Sequence, residues 1–90
     1  MQDTLFLGRY RILRLLGEGG MGRVWLARQI DLNRDVVIKV MHEHIAADPR
    51  FQERFQQEML AMAQFQPPLA VTLYDAHLET EEGPCIIMEF

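Results

Sequence analysis

Short apolar segments and one longer amphipathic segment alternate along the 90-residue chain. Five short segments combine β-branched, aromatic or aliphatic residues with interrupting polar ones, which is typical of half-buried strands. These predicted strands cover residues 10–16, 24–30, 36–41, 70–74 and 84–90. In the longer segment, apolar residues recur at steps of four, four and three, at Phe51, Phe55, Met59 and Met62. This spacing predicts one apolar face of an amphipathic helix.

Prolines and polar residues set the boundaries of these elements. Asp48 followed by Pro49 predicts a helix start, because Asp caps the free N–H groups of the first turn and proline suits the first helical position. The helix is predicted to end near Phe65, because the Pro67-Pro68 pair cannot continue it. The other connections are polar and turn-forming, at 30–35 and 79–83.

A glycine-rich stretch joins the first two predicted strands. Gly17, Gly19 and Gly22 fit the spacing G-x-G-x-x-G, and Val24 extends it to G-x-G-x-x-G-x-V. Glycine lacks a Cβ, so such a loop can bring backbone N–H groups close to a phosphate. A dinucleotide-binding turn requires a helix after the third glycine, and a P-loop requires Gly-Lys-Ser/Thr. Here a strand follows, so the stretch is predicted to be a hairpin tip, with either a phosphate-binding or a purely structural role.

Lysine occurs once in the chain, at Lys39, against eight arginines. This lysine interrupts the apolar run 36–41, which is typical of a buried strand. A cation in such a place costs several kcal/mol unless it is paired or reaches water. Two interpretations follow. Lys39 is either a residue of an edge strand whose ammonium reaches solvent, or a point charge directed at an anion and held by a carboxylate.

The glycine stretch followed by Val36-Val37-Ile38-Lys39 resembles the nucleotide-binding half of a protein kinase, with its Gly-rich loop and V-A-I-K lysine. The run 34–40 and the helix start at 48–51 are similar to those of bacterial Ser/Thr kinases of eukaryotic type. The resemblance implies an α+β fold, the amino-terminal lobe of a kinase, in which one long helix packs on a five-stranded antiparallel sheet. Residues 1–9 are then a lead-in segment and residues 10–90 the lobe.

The resemblance also implies roles for particular residues. Lys39 would orient the α- and β-phosphates of ATP, and Glu58 on the helix would hold Lys39 in an ion pair. The loop that covers the phosphates, with its flanks, would consist of Leu16, Gly17, Glu18, Gly19, Gly20, Met21, Gly22, Arg23 and Val24. Met88 would stand at the back of the adenine site, and the Glu89 backbone carbonyl would accept a hydrogen bond from the adenine amino group. Mg²⁺ would be the second cofactor, with its ligands beyond Phe90.

The sequence departs from the kinase pattern in three places. Val37 replaces the alanine of V-A-I-K, and its extra bulk at the roof of the adenine site predicts weaker nucleotide binding. Pro67 stands where many relatives have the histidine of a His-Pro pair. No H-R-D-x-x-x-x-N or D-F-G occurs up to Phe90, so the catalytic aspartate and the Mg²⁺-binding aspartate are absent from these residues. The 90 residues alone are therefore expected to be catalytically inactive.

The function implied by the resemblance is transfer of the ATP γ-phosphate to Ser or Thr hydroxyls of a protein substrate, carried out by a longer parent protein. Two other classes stay open. One is a nucleotide-binding pseudokinase or scaffold that lacks a catalytic aspartate, and the other is a stand-alone interaction module with an exposed apolar edge. A kinase of metabolites or antibiotics is disfavoured by the run 34–40 and by the Asp48-Pro49 helix start.

Composition restricts the remaining functions. The net charge is −4, so a basic surface typical of nucleic-acid binding is not expected. No apolar run approaches a membrane span and no secretion signal begins the chain, so a cytoplasmic protein, or the cytoplasmic part of a membrane-anchored one, is expected. A single cysteine, Cys85, excludes a disulfide within these residues. His42 and His44 are two positions apart and would share a face if they lay on a strand, but no third ligand accompanies them. No metal site is therefore predicted, and a solvated loop is expected there.

Overall fold

The computed structural model describes residues 4–20, 22–42, 47–64, 73–77 and 80–90, with helical side chains described as far as Gln57. The elements are β1 (Leu5–Phe6), β2 (Tyr10–Glu18), β3 (Gly22–Gln29), β4 (Arg34–Met41), α1 (Pro49–Gln64), β5 (Leu73–His77) and β6 (Cys85–Glu89). Strands β2 to β6 and the helix overlap the predicted elements. Of the predicted strand 70–74, residues 70–72 lie outside the described residues, as does Pro67.

The described strands form one antiparallel sheet, in the spatial order β1-β2-β3-β4-β6-β5. The predicted architecture is confirmed, with six described strands instead of the expected five. The additional strand, β1, lies in the segment expected to be a lead-in. Leu7 and Gly8 take positive φ values of 54° and 69° and reverse the chain, so that Phe6 pairs with Tyr10. A two-residue strand is too short to show a period, which is why the hydrophobic pattern did not predict it.

The β2–β3 hairpin contains two irregularities. Its register shifts between Ile12 and Arg14 and again between Leu15 and Gly17, so β2 has one extra residue at each place. Such bulges bend a strand and increase its right-handed twist. The second bulge, at Leu16, immediately precedes the first glycine, so the strand is bent where it enters the hairpin tip.

The two faces of the sheet carry separate hydrophobic clusters, because side chains alternate between the faces along each strand. The larger cluster contains Ile38 of β4 and Ile87 of β6, both fully buried. The smaller cluster contains Met41 and Ile86, which pack against Phe55 of α1. Helix α1 therefore covers the face of the sheet opposite to the larger cluster.

Helix α1 begins at the predicted position. The Asp48 carboxylate accepts a hydrogen bond of 2.9 Å from the backbone N–H of Arg50 and so satisfies a free N–H group of the first turn. This hydrogen bond, together with the charge of Arg50, lowers the pKa of Asp48 below its ordinary value. Asp48 thus forms the predicted cap.

The apolar face of α1 packs on the sheet over its first two turns, as the spacing of its apolar residues predicts. Phe55 belongs to the smaller cluster and Phe51 packs against it, with the two ring centroids 5.7 Å apart. Two further residues predicted on this face have side chains outside the described residues, namely Met59 and Met62. In the described ranges, no helix is long and apolar enough to cross a membrane.

Candidate functional site

Lys39 lies on β4, a strand that is paired on both sides. Its partner on β3 is Val24, and its partner on β6 is Ile86. Residues directly opposite each other share a face of the sheet, so these three side chains form one row. Ile86 packs with α1, and the row therefore lies on the α1 side. Because β4 is a central strand, the interpretation that placed Lys39 on an edge strand is wrong.

The half-buried Lys39 has two apolar neighbours in this row. Lys39 takes part in none of the ion pairs between described side chains, which are Arg23–Glu18, Arg28–Asp35, Arg50–Asp48 and His77–Asp75. The positive charge of Lys39 attracts an anion that can reach it. Glu58, the expected partner, belongs to α1, but its side chain lies outside the described residues.

The predicted hairpin tip lies between β2 and β3, beyond the pair Glu18 and Arg23. These exposed side chains form a salt bridge of 3.1 Å between Arg23 Nε and Glu18 Oε1. Exposed pairs contribute about 0–1 kcal/mol, so backbone contacts dominate the geometry of the tip. The Gly19 N–H donates to the Gly22 carbonyl oxygen at 2.9 Å and closes the tip. Met21 lies outside the described residues.

The glycines of the tip differ in their surroundings. A Cβ added to Gly17, Gly19 or Gly20 would have none of the described atoms within 4 Å, so the backbone there is open to a ligand. A Cβ added to Gly22 would overlap the carbonyl oxygen of Val40. The first three glycines have the openness that phosphate binding by backbone N–H groups requires, whereas Gly22 permits close packing of two strands.

A contact that was not predicted from the sequence joins the tip to the end of β4. His42, directly after β4, has its Nε2 atom 3.0 Å from the carbonyl oxygen of Gly19. The two residues are 23 positions apart, so no local period or short motif indicates this contact. The segment after β4, expected to be a solvated loop, thus contributes a half-buried side chain to the glycine hairpin.

A second row, next to that of Lys39, is apolar. Leu26 of β3, Val37 of β4 and Met88 of β6 are successive partners across the sheet. Met88 also packs against the smaller hydrophobic cluster on the α1 side. Glu89, the last residue of β6, is half-buried. The two rows set a cation beside an apolar surface, which suits a ligand with an apolar part and an anionic group.

A glycine-rich hairpin, a lysine on a central strand and a helix on the lysine side together define the amino-terminal lobe of a protein kinase. The family model described as protein tyrosine and serine/threonine kinase matches residues 10–90. The chain belongs to this family.

Several curated relatives that it matches are bacterial serine/threonine kinases. It is 42% identical over 89 residues to serine/threonine-protein kinase pkn2 of Myxococcus xanthus, and this match covers 98% of the chain and 11% of that protein. It is 42% identical over 85 residues to serine/threonine-protein kinase PknB of Mycobacterium tuberculosis, with coverage of 91% and 14%. It is 40% identical over 83 residues to serine/threonine-protein kinase PrkC of Bacillus subtilis, with coverage of 92% and 13%. The chain thus spans between 11% and 14% of the length of these relatives.

Solved structures agree with this assignment. The crystal structure of the Mycobacterium tuberculosis PknI kinase domain matches with a TM-score of 0.82 and 29% sequence identity. The match covers 100% of this chain and 36% of the solved one. The C20A_R136N double mutant of the same kinase domain matches with a TM-score of 0.84. These matches confirm the predicted fold and its place within a kinase domain.

Proposed function

We propose that this chain is the ATP-binding lobe of a serine/threonine protein kinase that transfers the ATP γ-phosphate to Ser or Thr hydroxyls of a protein substrate. The observation that carries the proposal is the position of Lys39, half-buried between Val24 and Ile86 on the face that α1 covers. Protein kinases in general use ATP and Mg²⁺. The relatives named above are serine/threonine kinases, which supports the same class of acceptor.

The described residues fit the phosphate groups of ATP. The open space beside Gly17, Gly19 and Gly20 leaves room for phosphate oxygens to approach backbone N–H groups. Lys39 provides a compact positive charge for the α- and β-phosphates. We assign the rest of the covering loop to Glu18, Met21, Gly22 and Arg23.

For the adenine base we assign the apolar row of β3, β4 and β6. Val37 and Met88 are direct partners there, and Val24 extends the surface toward the hairpin. Leu16, at the bulge, is 37% exposed and thus available to cover a bound ring. The backbone carbonyl of Glu89 is the proposed acceptor for the adenine amino group.

Glu58 is the proposed partner that holds Lys39 toward the phosphates. The position of α1 on the Lys39 side of the sheet supports this assignment. Mg²⁺, when bound, neutralises negative charge on the reacting phosphates, and we assign its ligands and the catalytic base to residues beyond Phe90. Residues 1–90, with the lobe at 10–90, are then proposed to bind nucleotide without transferring phosphate by themselves.

The test is the Lys39→Ala substitution in the full-length protein, assayed by phosphate transfer from Mg·ATP to itself and to a generic protein substrate. We expect kcat/KM to fall by about a hundredfold or more, because a preorganised charge at the reacting groups is lost. Arg11→Ala is the matched control, since it removes an exposed cation near the start of β2, and it should leave transfer nearly unchanged. Equal activity of Lys39→Ala and the wild type would refute the assigned role.

The wild-type protein itself distinguishes the other classes of function. Binding of Mg·ATP without any transfer would identify a nucleotide-binding pseudokinase or scaffold. Neither binding nor transfer would identify an interaction module built on the same fold.

A further inference from the structure

We propose that His42 is a positioning residue of the nucleotide site, which holds the glycine hairpin in place by donating its Nε2–H to the carbonyl oxygen of Gly19. The two atoms are 3.0 Å apart, which is within the ordinary range for an N–H···O hydrogen bond. The inference rests on the proposed ATP-binding function, since it assigns a residue that shapes the same site.

The chemistry of the two groups fixes the direction of this hydrogen bond. A backbone carbonyl oxygen only accepts, so the imidazole Nε2 must carry the hydrogen. The neutral Nε2–H tautomer and the charged imidazolium both meet this condition. Protonation of the ring is therefore not needed for His42 to hold Gly19.

The packing of Gly22 explains why His42 reaches the tip. Gly22 and Met41 are the last pair of the β3–β4 ladder, and Gly22 lies against the Val40 carbonyl with no space for a Cβ. His42 follows Met41 directly. Its side chain therefore starts next to the last backbone pair of β3 and β4. From there it reaches across the tip to the carbonyl oxygen of Gly19.

Both backbone groups of Gly19 are held by this arrangement. Its N–H donates to the Gly22 carbonyl oxygen at 2.9 Å, and its own carbonyl oxygen accepts from His42. In a trans peptide the C=O and the following N–H point in opposite directions. Fixing the Gly19 carbonyl therefore also fixes the direction of the Gly20 N–H, a donor in the open part of the loop. A loop fixed before binding loses less conformational freedom when it closes on phosphate.

The experiment uses the full-length protein with His42→Ala, which removes the donor, and His42→Gln, whose side-chain amide can donate from a similar distance. His77→Ala is the matched control, because His77 contacts Asp75 on β5 and not the glycine hairpin. Two quantities are measured for each protein. These are the hydrogen-exchange rate of the Gly19 amide without nucleotide, by NMR with ¹⁵N-glycine, and the affinity for the Mg²⁺ complex of AMP-PNP, by calorimetry.

For His42→Ala we expect Gly19 exchange to be about three- to tenfold faster and Mg·AMP-PNP binding to be weaker by a similar factor, given the usual net strength of one hydrogen bond. In phosphate transfer the KM for ATP should rise while kcat at saturating ATP changes little. In His42→Gln, the Gly19 exchange rate and the AMP-PNP affinity should both return most of the way to the wild-type values. His77→Ala should change neither quantity.

Unchanged Gly19 exchange, or unchanged AMP-PNP affinity, in His42→Ala would overturn the inference. A wild-type protein that fails to bind Mg·AMP-PNP would instead refute the proposed function itself, and the positioning role with it. A wild type that binds normally while His42→Ala binds equally well would refute only the role of His42.

Discussion

Gly22 and Met41 form the last pair of the β3–β4 ladder, and their backbones lie too close together for any side chain on Gly22. A Cβ there would overlap the Val40 carbonyl oxygen and stand 2.9 Å from Met41 Cα. This close approach brings the end of β4 to the hairpin tip. The third glycine of the G-x-G-x-x-G spacing thus serves strand packing, whereas the open backbone around Gly19 and Gly20 is available to a ligand.

We therefore expect Gly22→Ala to reduce stability by about 1–3 kcal/mol, the usual cost of forcing extra volume into a packed site. The control is Gly20→Ala, whose Cβ would meet no described atom within 4 Å. It should leave stability unchanged or raise it by about 0.4–1 kcal/mol through the unfolded state. Urea denaturation of the two variants and the wild type measures the difference. Equal midpoints for Gly22→Ala and Gly20→Ala would contradict the packing role.

Val37→Ala should strengthen nucleotide binding. Val37 lies between Leu26 and Met88 in the apolar row assigned to adenine, so removing two methyl groups gives the ring more room. We expect the dissociation constant for Mg·ATP to decrease about threefold or more, with relief of crowding on the order of 1 kcal/mol. Isothermal titration calorimetry of the full-length protein measures this change.

The control for that experiment is Val36→Ala. Val36 is fully buried in the larger cluster on the opposite face, so its truncation should cost about 2 kcal/mol of stability and leave nucleotide affinity nearly unchanged. Val37→Ala binding that is weaker than wild type would show that the valine contacts the nucleotide favourably and does not crowd it.

Cys85 should be unreactive in the folded protein. It is fully buried, and this burial, with the nearby charge of Asp75, raises the pKa of its thiol to about 11. The thiolate is the reactive form. Near pH 8 we expect iodoacetamide to label Cys85 only under denaturing conditions, as measured by peptide mapping in the mass spectrometer. Rapid labelling of the native protein would show that Cys85 is accessible and contradict its burial.

The same shift predicts how stability depends on pH. In the unfolded chain Cys85 ionises near its ordinary pKa of 9.0, while the folded thiol stays neutral until about pH 11. The contribution of Cys85 to the free energy of unfolding is therefore fully present below pH 9. It decreases as pH rises toward 11, by at most about 1.4 kcal/mol per pH unit. Cys85→Ala lacks the titrating group and should show a smaller loss of melting temperature over this interval. Parallel curves for the two proteins would rule out this contribution.

Features that depend on neighbours along the chain were predictable from the sequence. The start of α1 follows from Asp48 and Pro49, because capping involves groups only two or three residues apart. The strand around Lys39 follows from its run of β-branched residues, and the hairpin tip follows from glycine spacing between two strands. The kinase fold was predictable through the resemblance to a known family, because these local features occur in the order and spacing that the family shows.

Features that depend on strands meeting across the sheet were decided only by the tertiary structure. The pairing of Lys39 with Val24 and Ile86 makes β4 a central strand, which a single strand's sequence cannot reveal. Strand β1 forms because the chain reverses at Leu7 and Gly8, and its two residues are too few to carry a period. The register of β3 against β4 decides which tip glycine is packed and which are open. The same register brings His42 within hydrogen-bonding distance of Gly19. A sequence encodes local conformation and periodicity within a few residues, but register is set by bulges and by packing between segments far apart in the chain.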